Sequence, residues 1–408
     1  MPVQVAENVY WVGAVDWNVR NFHGYTYLTP RGTTYNAYLI VDEQIALVDT
    51  VAPGFEEDMM ERIRELVDPA DIRYLIANHG ELDHSGSIPY VLDEAPEAEL
   101  ICTQKGTETL GSYFGLEDFH VVKTGDTLPL GKKTLSFIEA PMLHWPDTMF
   151  TYDAADKLLM PNDAFGQHLA TSHRFADEVD PCQLWDEAVR YYANILTPFS
   201  RLVLRKLDEV AKLKLDIATI APSHGVIWRR DVGAILEAYR RWAAGEAKPR
   251  VVIAYETMWG STAQLAEALA RGVADEGVEA LVRSLPQSDR TDVIGEVLEA
   301  KGVLVGSSTH NQHSLLNIDS FMHDLRGLRF TGKIAAAFGS HGWAGGAVPE
   351  LEEGLRQAGF DVMEANLAIK WAPDAEDLTR AYTFGQTFAQ EVKRSLAQPA
   401  EPHHGTEA

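Results

Sequence analysis

One short segment of the chain concentrates side chains that could bind metal ions. The segment ANHGELDHSGS continues the apolar run IRYLI and supplies His79, Glu81, Asp83 and His84 within six residues. A loop at the end of a strand can direct such side chains to one point, because the strand fixes where the loop begins. Gly80 suits a tight loop. Burying all four groups without a metal would leave polar atoms unpaired, so the segment predicts a metal site.

Three further candidate ligands lie downstream at long spacings. They are His144 in PMLHWPDTM, Asp163 in MPNDAFGQH and His224 in APSHGV, and each follows an apolar, strand-like run. Together with the first segment they provide four histidines and three carboxylates, enough for two divalent ions with one bridging carboxylate. For Asp83 and Asp163 a simpler interpretation stays open, because an aspartate before a helix is often only its N-cap.

Three loops in the last 150 residues have a composition that suits a flavin. The first joins the strand-like run VVIAYET to a helical pattern, where backbone N–H groups and hydroxyls can hold an anion. The GxGxxG and GK[ST] signatures are missing, which favours a monophosphate such as FMN over a dinucleotide or a nucleoside triphosphate. The candidate FMN-binding residues are Thr257, Met258, Trp259, Gly260, Ser261 and Thr262 in the first loop, Ser308, Thr309, His310 and Asn311 in the second, and Ser340, His341, Gly342, Trp343, Ala344 and Gly345 in the third.

Each of these loops alone is weak support for a flavin. A Ser/Thr-rich loop before a helix often only caps that helix, and Trp343 could be a packing residue. All three loops, however, come in order after strands, at the edge where ligands bind in doubly wound sheets. Trp343 could then offer an aromatic face to the isoalloxazine ring.

The elements that must position these groups differ between the two parts of the chain. The first 250 residues contain short strand-like runs such as TYNAYLIV, QIALVDT and KTLSFIEA, with helical segments such as FEEDMMERIRELV between some of them, which predicts an α+β or layered αββα domain. Later, RVVIAY, EALVRSL, GVLVGSS, KIAAAFGS and DVMEANLAI alternate with helices, which predicts a doubly wound parallel sheet. The Pro- and charge-containing stretch AAGEAKPR suggests domains at 1–249 and 250–398, with a disordered tail at 399–408.

Length and composition exclude several classes of protein. The chain has 408 residues and a formal net charge of −25, which argues against binding to nucleic acid. Its two cysteines cannot build a four-cysteine iron site, and their scarcity hints at a cytoplasmic protein. We find no apolar run long enough to span a membrane and no secretion signal.

The metal-ligand pattern resembles that of the flavodiiron proteins, the diiron variant of the metallo-β-lactamase fold. The common metallo-β-lactamase pattern is HxHxDH, whereas this chain has HxExDH, with Glu81 in place of the second histidine. A carboxylate is a harder ligand than imidazole and suits iron or manganese better than zinc. The segments NFHGYTYLTPRGTTYNAYLI, HWPDTMF, NDAFGQH and YYANIL are also similar to that family, and the resemblance covers roughly residues 1–398.

The resemblance implies an N-terminal metallo-β-lactamase-like αββα sandwich followed by a flavodoxin-like doubly wound parallel sheet. It implies that one iron is bound by His79, Glu81, His144 and Asp163, and the other by Asp83, His84, His224 and the bridging Asp163. The implied activity is reduction of O2 to water, of NO to N2O, or of both. Electrons would come through FMN from an external donor such as rubredoxin. The implied assembly is a head-to-tail homodimer or a dimer of such dimers.

Two rival functions and several details stay open. A zinc hydrolase is disfavoured by Glu81 and by the flavin loops, and a non-enzymatic FMN electron carrier by the complete ligand set. An acidic donor would be repelled unless a basic patch receives it, and Arg229–Arg230 and Arg240–Arg241 are candidates for such a patch. The residues that could gate the metal pocket, or simply pack in the core or at its rim, are His23, Tyr25, Trp145, His168 and Tyr192.

Overall fold

The computed structural model describes residues 1–24 and 26–397. The chain divides into two compact units, Met1–Ala244 and the residues from Gly245 onward. Tyr25 and the predicted tail at 399–408 lie outside the described residues. Within the described part of the chain, every helix is too short or too polar to cross a membrane.

The strands of the first unit are short and form two main sheets. They are β1 (Val3–Ala6), β2 (Val9–Trp11), β3 (Ala14–Asp16), β4 (Asn21–Phe22), β5 (Tyr27–Leu28), β6 (Thr33–Tyr35), β7 (Tyr38–Ile40), β8 (Ile45–Val48), β9 (Ile72–Ile76), β10 (Glu99–Cys102), β11 (His120–Val121), β12 (Thr127–Pro129), β13 (Thr134–Glu139), β14 (Met149–Asp153), β15 (Leu158–Met160) and β16 (Thr219–Ile220). A seven-stranded sheet has the order β1-β2-β7-β8-β9-β10-β11, and a five-stranded sheet runs from β12 to β16 in sequence order. The strands β3 and β6, and β4 and β5, form two small additional pairs.

The helices of the first unit lie between and after these strands. They are α1 (Glu56–Arg64), α2 (Leu82–Ser85), α3 (Ile88–Glu94), α4 (Gln104–Phe114), α5 (Pro181–Tyr191), α6 (Ser200–Lys212) and α7 (Val232–Ala243). Short 3-10 turns span Pro69–Asp71, Ala176–Glu178 and Thr197–Phe199, and a π-helical turn spans Tyr192–Leu196 directly after α5.

Alternating side chains build the layers of the first unit. In β7, Tyr38 and Ile40 lie in the core between the two sheets, whereas Leu39 lies in a second core with residues of α1, α3 and α4, as the two-residue period of a strand requires. In β15, Leu158 also faces the core between the sheets, and Leu159 faces α6 and α7. The unit therefore has the order helices, sheet, sheet, helices, which confirms the predicted αββα sandwich.

The direction of the strands brings the predicted ligand segments to one edge of the five-stranded sheet. Strands β13 and β15 both pair antiparallel with β14, and β16 pairs parallel with β15. Consequently β13, β15 and β16 run in the same direction and their carboxyl ends meet. His144, Asp163 and His224 follow these three strands in turn.

The second unit is built from longer strands that alternate with helices. Its elements are β17 (Lys248–Glu256), α8 (Ser261–Asp275), β18 (Glu279–Ser284), α9 (Arg290–Glu299), β19 (Ala300–Ser308), α10 (Leu316–Leu328), β20 (Ile334–His341), α11 (Ala347–Gln357), β21 (Asp361–Val362), β22 (Ala368–Lys370) and α12 (Ala375–Ala397), with a 3-10 turn at Leu285–Gln287. The strand order is β18-β17-β19-β20-β21, with all neighbours parallel, which confirms the flavodoxin-like doubly wound sheet. Leu265, Leu269 and Val273 of α8 lie in its core, as their four-residue spacing predicts.

One predicted element of the second unit differs in the structure. The run DVMEANLAI, predicted as a single strand, forms the two short strands β21 and β22. Between them Asn366 has a φ of +51°, a left-handed conformation that interrupts extended backbone. Both short strands pair with β20, so the fifth position of the sheet is kept although the strand is broken.

Candidate functional site

The seven predicted metal ligands lie together in the first unit. Two groups of three residues each place one ligand atom per residue within 4.8 Å of the others, and the groups are His79, His144 and Asp163, and Asp83, His84 and His224. Glu81 belongs beside the first group, because its Oε2 lies 3.4 Å from Nε2 of His79 and 3.3 Å from Nε2 of His144. The chain thus forms two adjoining sets of nitrogen and oxygen donors.

Asp163 lies between the two sets and faces both. Its Oδ2 is 3.7 Å from Nε2 of His79 and 3.5 Å from Nε2 of His144. Its Oδ1 is 3.2 Å from Nε2 of His84 and 3.5 Å from Nε2 of His224. Each carboxylate oxygen therefore serves a different set, which is the arrangement a bridging ligand needs. The N-cap interpretation of Asp163 is wrong, because no described helix begins next to it.

Two of the histidine rings are oriented by hydrogen bonds on their far sides. Nδ1 of His79 lies 3.1 Å from Oδ1 of Asp147, and Nδ1 of His224 lies 2.6 Å from the carbonyl oxygen of Thr34. Partners on Nδ1 direct Nε2 of each ring into the ligand cluster, as in metal sites where a carboxylate or carbonyl fixes the ring. Asp147 also accepts the Gly80 N–H at 2.7 Å, so it holds the ligand loop as well.

A buried carboxylate ties two of the ligand segments together. Asp49 accepts hydrogen bonds from the backbone N–H of Asn78 at 2.8 Å and from the side-chain amides of Asn78 and Asn162, both at 3.1 Å. Asn78 and Asn162 immediately precede His79 and Asp163 in the sequence. The position of one ligand segment is therefore coupled to that of the other.

The ionisable groups of the cluster stabilise one another's charged forms. Burial opposes ionisation of Asp163, but the charge of His84 and the hydrogen bond from it outweigh burial and hold the pKa of that carboxyl well below its usual range. Burial lowers the pKa of His84, but the negative charges of Asp83 and Asp163 raise it by a larger amount, so that its pKa is about 9. An environment that favours an imidazolium ion this strongly also favours a metal cation.

Unpaired buried atoms of the cluster test whether metal ions fit. Among the described residues, Nε2 of His79, Oδ1 of Asp83, Nε2 of His84 and Oδ2 of Asp163 are buried without a hydrogen-bond partner. Each such atom costs about 1–3 kcal/mol when nothing satisfies it. Coordination to metal would satisfy them, and a mixed imidazole and carboxylate set suits iron. The residues present therefore fit two metal ions.

Two of the predicted gating residues contact the ligand cluster at its rim. Nε2 of His23 lies 3.0 Å from Oε1 of Glu81, and its side chain is about one-third exposed. The Trp145 ring packs edge-on against the His79 ring, with centroids 4.9 Å apart. These two side chains therefore lie at the rim, beside the first ligand set.

The other gating predictions have different outcomes. His168 is buried 4.8 Å from the ring of His224, and its Nδ1 lies 2.8 Å from Oγ1 of Thr33. Burial holds the pKa of His168 well below its usual range, so the ring is neutral. Tyr192 packs against α7 instead of facing the ligand cluster. Tyr25 lies outside the described residues.

In the second unit, the three predicted flavin loops surround one cavity with a volume of about 780 Å³. That size is typical of small-molecule sites. The predicted residues that line the cavity are Met258, Trp259, Ser261, Ser308, Thr309, His310, Asn311, Ser340, His341, Gly342, Trp343 and Ala344. Gln312, Trp371 and Ala372 line it too, and they were not predicted. Thr257, Gly260, Thr262 and Gly345 are not part of its wall.

Three hydroxyl groups converge beneath this cavity. The buried Oγ1 of Thr262 lies 3.0 Å from Oγ of Ser308 and 2.9 Å from Oγ of Ser340. Helix α8 begins at Ser261, directly after Gly260, whose φ of +91° is a conformation that glycine adopts at little cost. The free N–H groups at this helix start and the Ser261 side chain can hold a phosphate group.

Two tryptophans stand at the mouth of the cavity. Trp343 and Trp371 are 88% and 59% exposed, and their ring centroids are 6.1 Å apart. A side chain at Gly342 would crowd Trp371, since a Cβ there would lie 3.0 Å from its ring. Exposed aromatic faces of this kind can stack on a flavin ring. Trp371 was not predicted, because it follows DVMEANLAI and so lies outside the three predicted loops.

Comparisons with known proteins identify the family. Residues 33–225 match the family described as ODP family beta lactamase, and residues 253–385 match the flavodoxin family. The nitric oxide reductase of Moorella thermoacetica is 50% identical over 394 residues, which are 96% of this chain and 99% of that protein. The solved flavodiiron protein from Giardia intestinalis is 36% identical, with a TM-score of 0.93 and coverage of 97% of this chain and 98% of that one. This chain belongs to the flavodiiron protein family.

Other relatives of this flavodiiron protein agree with that assignment. The solved rubredoxin oxygen:oxidoreductase of Desulfovibrio gigas has a TM-score of 0.94 and 36% identity, over 98% of this chain and 100% of that one. The anaerobic nitric oxide reductase flavorubredoxin of Klebsiella pneumoniae is 43% identical over 98% of this chain and 84% of that protein. The resemblance predicted from the HxExDH pattern is therefore confirmed.

Sequence reasoning missed two residues that act on the metal cluster of this flavodiiron protein. Tyr191 donates its hydroxyl hydrogen to Oδ1 of Asp163 at 2.8 Å, whereas its neighbour Tyr192 was the predicted residue. Only the rotation of α5 and of the π-helical turn after it decides which of the two faces the cluster. Asp147 stands in the family-like segment HWPDTMF, three residues after His144, and its position there was the only signal for it.

Proposed function

We propose that this flavodiiron protein is an oxidoreductase that reduces NO to N2O, O2 to water, or both. An external one-electron donor, rubredoxin or a similar protein, would supply electrons through FMN to a diiron centre. The observation that carries the proposal is the position of Asp163, whose two carboxylate oxygens face two separate ligand sets. Two metal ions that share one carboxylate require that geometry.

The proposed ligand assignment follows the two sets. One iron would be held by His79, Glu81, His144 and Asp163, and the other by Asp83, His84, His224 and Asp163. When bound, a pair of irons supplies two electrons and open positions for a small gas molecule. The role of Asp147 and of the Thr34 carbonyl is to hold two of the imidazole rings with Nε2 directed inward.

The second unit would hold FMN in its cavity. When bound, the flavin supplies two further electrons, so that both the four-electron reduction of O2 to water and the two-electron reduction of two NO molecules to N2O are possible. Ser261 and the start of α8 would hold the phosphate above the Thr262 hydroxyl, and Trp343 and Trp371 would flank the ring. The remaining FMN-binding residues are those predicted from the three loops.

The names of the relatives favour NO as one substrate. The relative at 50% identity is a nitric oxide reductase, and so is the flavorubredoxin at 43%. The relative from Desulfovibrio gigas is named for oxygen. We therefore propose NO as a substrate of this chain, with O2 as the second.

We also propose a head-to-tail homodimer, or a dimer of such dimers, in which the flavin of one chain faces the irons of the other. Exposed apolar side chains of the second unit support this assembly, because a second chain could cover them. Trp259 is 92% exposed and Leu316 is 84% exposed. Full activity of a monomer at high dilution in sedimentation analysis would contradict this assembly.

The two cysteines of the chain are free, which suits a reducing compartment, so we propose that the protein is cytoplasmic.

The decisive experiment combines turnover with cofactor analysis on one sample. The protein is reduced anaerobically, NO and O2 consumption are measured separately, and iron and FMN are quantified. Asp163→Asn and His79→Asn should keep the flavin spectrum and lose gas reduction by more than about a hundredfold. Asp177→Asn, which weakens ion pairs with Arg229 and Arg230 away from the ligand cluster, is the matched control and should stay active.

Three results would contradict the proposed function. The first is normal gas consumption by the Asp163 or His79 variant. The second is zinc in place of iron together with hydrolase turnover. The third is flavin reduction without consumption of either gas, which would indicate an electron carrier.

A further inference from the structure

Four aromatic side chains of the first unit form a connected group beside the loop that carries Asp163. This aromatic group consists of Trp185 on α5, Tyr239 and Trp242 on α7, and Trp228 in the segment between β16 and α7. Trp185 is half-buried, and the other three side chains are buried. The aromatic group therefore reaches solvent at Trp185.

Two members of the aromatic group bond directly to the loop after Asp163. The indole N–H of Trp228 donates to the carbonyl oxygen of Phe165 at 2.9 Å, and the hydroxyl oxygen of Tyr239 accepts the Phe165 N–H at 2.7 Å. Phe165 stands two residues after Asp163 in the sequence. Short hydrogen bonds thus join the inner end of the aromatic group to the loop of the proposed bridging ligand.

Two branches lead from this inner end to Trp185. In the first branch, the ring centroids of Trp228 and Trp185 lie 5.6 Å apart. In the second branch, Tyr239 lies 5.6 Å from Trp242, and Trp242 lies 6.4 Å from Trp185. Aromatic pairs in contact have centroids about 4.5–7 Å apart, so each branch is a series of neighbouring rings.

The chemistry of these rings suits the transfer of single electrons. Indole and phenol rings lose an electron far more readily than phenylalanine or aliphatic side chains do. An electron can therefore pass between neighbouring members of the aromatic group in short steps. Because both branches meet at Trp185, a reductant in solvent can supply either of them at that one side chain.

We propose that the aromatic group is a protective electron path, which carries electrons from a small thiol reductant at Trp185 to the ligand cluster when the flavin is not reduced. The inference rests on the proposed function, because O2 that receives fewer than four electrons leaves an oxidant at the cluster. Small thiols are the soluble reductants of a reducing compartment.

The electrons and protons of this proposed path balance. Reduction of one O2 to two waters takes four electrons and four protons, of which the two irons supply two electrons. Two thiols supply the other two electrons and two protons, and their sulfur atoms join in a disulfide. Solvent supplies the remaining two protons. Each ring that gives up an electron receives one from the next ring outward, so the rings are not consumed.

Electron passage is tested on the protein loaded with iron and FMN. Cys182 is exposed and lies one helical turn before Trp185 on α5, whereas Cys102 is buried, so a thiol-reactive ruthenium photo-oxidant can be attached at Cys182. After a laser flash, we expect a transient tryptophan radical absorbance, followed by fast oxidation of iron(II). Trp185→Phe should lose this fast phase.

The control is Tyr113→Phe, whose exposed ring on α4 lies outside the aromatic group and whose fast phase should persist. Iron and FMN contents show whether each variant is folded. The double variant Trp228→Phe and Trp242→Phe interrupts both branches and keeps Trp185. It should lose the fast phase too, and it decides the question if Trp185→Phe folds poorly.

A second measurement tests protection against oxidation. The same protein is given excess O2 with a limiting supply of electrons, and mass spectrometry locates the oxidised side chains. Oxidation is expected at Trp185, and added glutathione should suppress it while glutathione disulfide forms. In Trp185→Phe the oxidation should move inward to Trp228, Tyr239 and Trp242.

The outcomes separate this inference from the proposed function. An equally fast phase in the unmodified protein and in the double variant, or oxidation at Trp185 that glutathione leaves unchanged, would overturn the inference. If the fast phase depends on the aromatic group while the protein consumes neither gas, the electron path is supported and the proposed function fails.

Discussion

Asp147 acts on the metal cluster without belonging to either ligand set. Its Oδ1 lies 3.1 Å from Nδ1 of His79, its Oδ2 accepts the Gly80 N–H at 2.7 Å, and its carbonyl accepts the Thr103 hydroxyl at 2.9 Å. The carboxylate thus sets the ring orientation of one ligand and the position of the loop that carries three more. Loss of its charge should therefore weaken metal binding.

We expect Asp147→Asn to weaken iron binding about 10- to 100-fold, because an amide is a poorer partner for the His79 ring than a carboxylate. The measurement is iron content after dialysis against chelators of graded strength, with FMN content as an internal reference. Asp177→Asn should keep its iron. Unchanged iron retention in Asp147→Asn would show that the contact does not orient the ligand.

Lys333 makes the stability of the second unit depend on pH. It is buried directly before β20 and donates hydrogen bonds to the carbonyl oxygens of Leu298 and Ala300 at 2.8 and 2.6 Å. Burial lowers its pKa to about 7. An unfolded lysine titrates near 10.5, so between these values the unfolded chain binds more protons and stability rises with pH.

We therefore expect the free energy of unfolding of the unmodified protein, relative to Lys333→Met, to rise by about 3 kcal/mol between pH 6 and pH 9. Below pH 7 the cost of burying the charged amine is fully present, and it falls gradually between pH 7 and about pH 10.5, where the unfolded lysine also loses its proton. Denaturant unfolding of both proteins at several pH values measures the difference. A constant difference across this range would contradict the lowered pKa.

Spacing in the sequence was enough to predict which candidate ligands lie together, but not the residues that orient them. A strand end followed by HxExDH restricts where four side chains can lie. The structure brings two of them, His79 and His84, into the cluster as expected. Asp147 and Tyr191 reach the cluster only through the packing of the two sheets and the rotation of α5. Those features depend on contacts between distant parts of the chain.

At the scale of elements, Asp49 joins the loop after β9 to the loop after β15. Its three hydrogen bonds to Asn78 and Asn162 connect one sheet of the sandwich to the other. The carboxylate is fully buried, and burial raises its pKa. An asparagine at this position would direct its own side-chain N–H group towards the N–H groups of Asn78 and Asn162.

Asp49→Asn should therefore destabilise the first unit by about 3 kcal/mol, since hydrogen bonds to a charged acceptor are lost and buried donors are left unpaired. Chemical denaturation followed by tryptophan fluorescence gives the value. Asp58→Asn on the exposed face of α1 should cost less than about 1 kcal/mol. A similar cost for both variants would mean that Asp49 does not connect the two loops.

The turn from β17 into α8 should control flavin retention. We expect Thr262→Val to weaken FMN binding about tenfold, because it removes the hydroxyl that Ser308 and Ser340 share beneath the proposed phosphate position. FMN release on dilution, followed by flavin fluorescence, measures the effect, and iron content should not change. Thr387→Val on the exposed face of α12 is the control, and joint loss of both cofactors in Thr262→Val would indicate misfolding.

Most elements of the second unit were predictable because its central strands β17, β19 and β20 are mostly buried and its helices carry an apolar stripe. The exception is DVMEANLAI, whose apolar and polar residues are compatible with one strand. Its division depends on the left-handed conformation of Asn366, which composition alone does not reveal. The short strands of the first unit were recognisable, but their order in two sheets was not.

At the scale of the whole molecule, the surplus of acidic residues shapes encounters with other proteins. The candidate basic clusters are largely neutralised within the fold, since Arg229 and Arg230 pair with Asp177 and Arg240 pairs with Asp208. The net charge of −25 therefore acts on an approaching donor with little local compensation from these arginines. An acidic donor would be repelled over several ångströms.

We expect electron transfer from an acidic donor protein to become faster as salt is added, because the screening length falls from about 30 Å at 0.01 M to about 8 Å at 0.15 M. Stopped-flow reduction of the flavin across this range tests the expectation, with a neutral chemical reductant as the control. A rate that falls with salt would instead indicate a local basic site that attracts the donor.

The spread of the ligands along the chain also sets an order for assembly during synthesis. The first ligand set is synthesised before a large part of the first unit, since its members are His79, Glu81, His144 and Asp163. The second set also needs His224, which is synthesised later and lies near the start of α7. One metal position can therefore be completed before the other. Full loading has to wait until β16 has joined the five-stranded sheet, which makes metal uptake a late event in the maturation of the nascent protein.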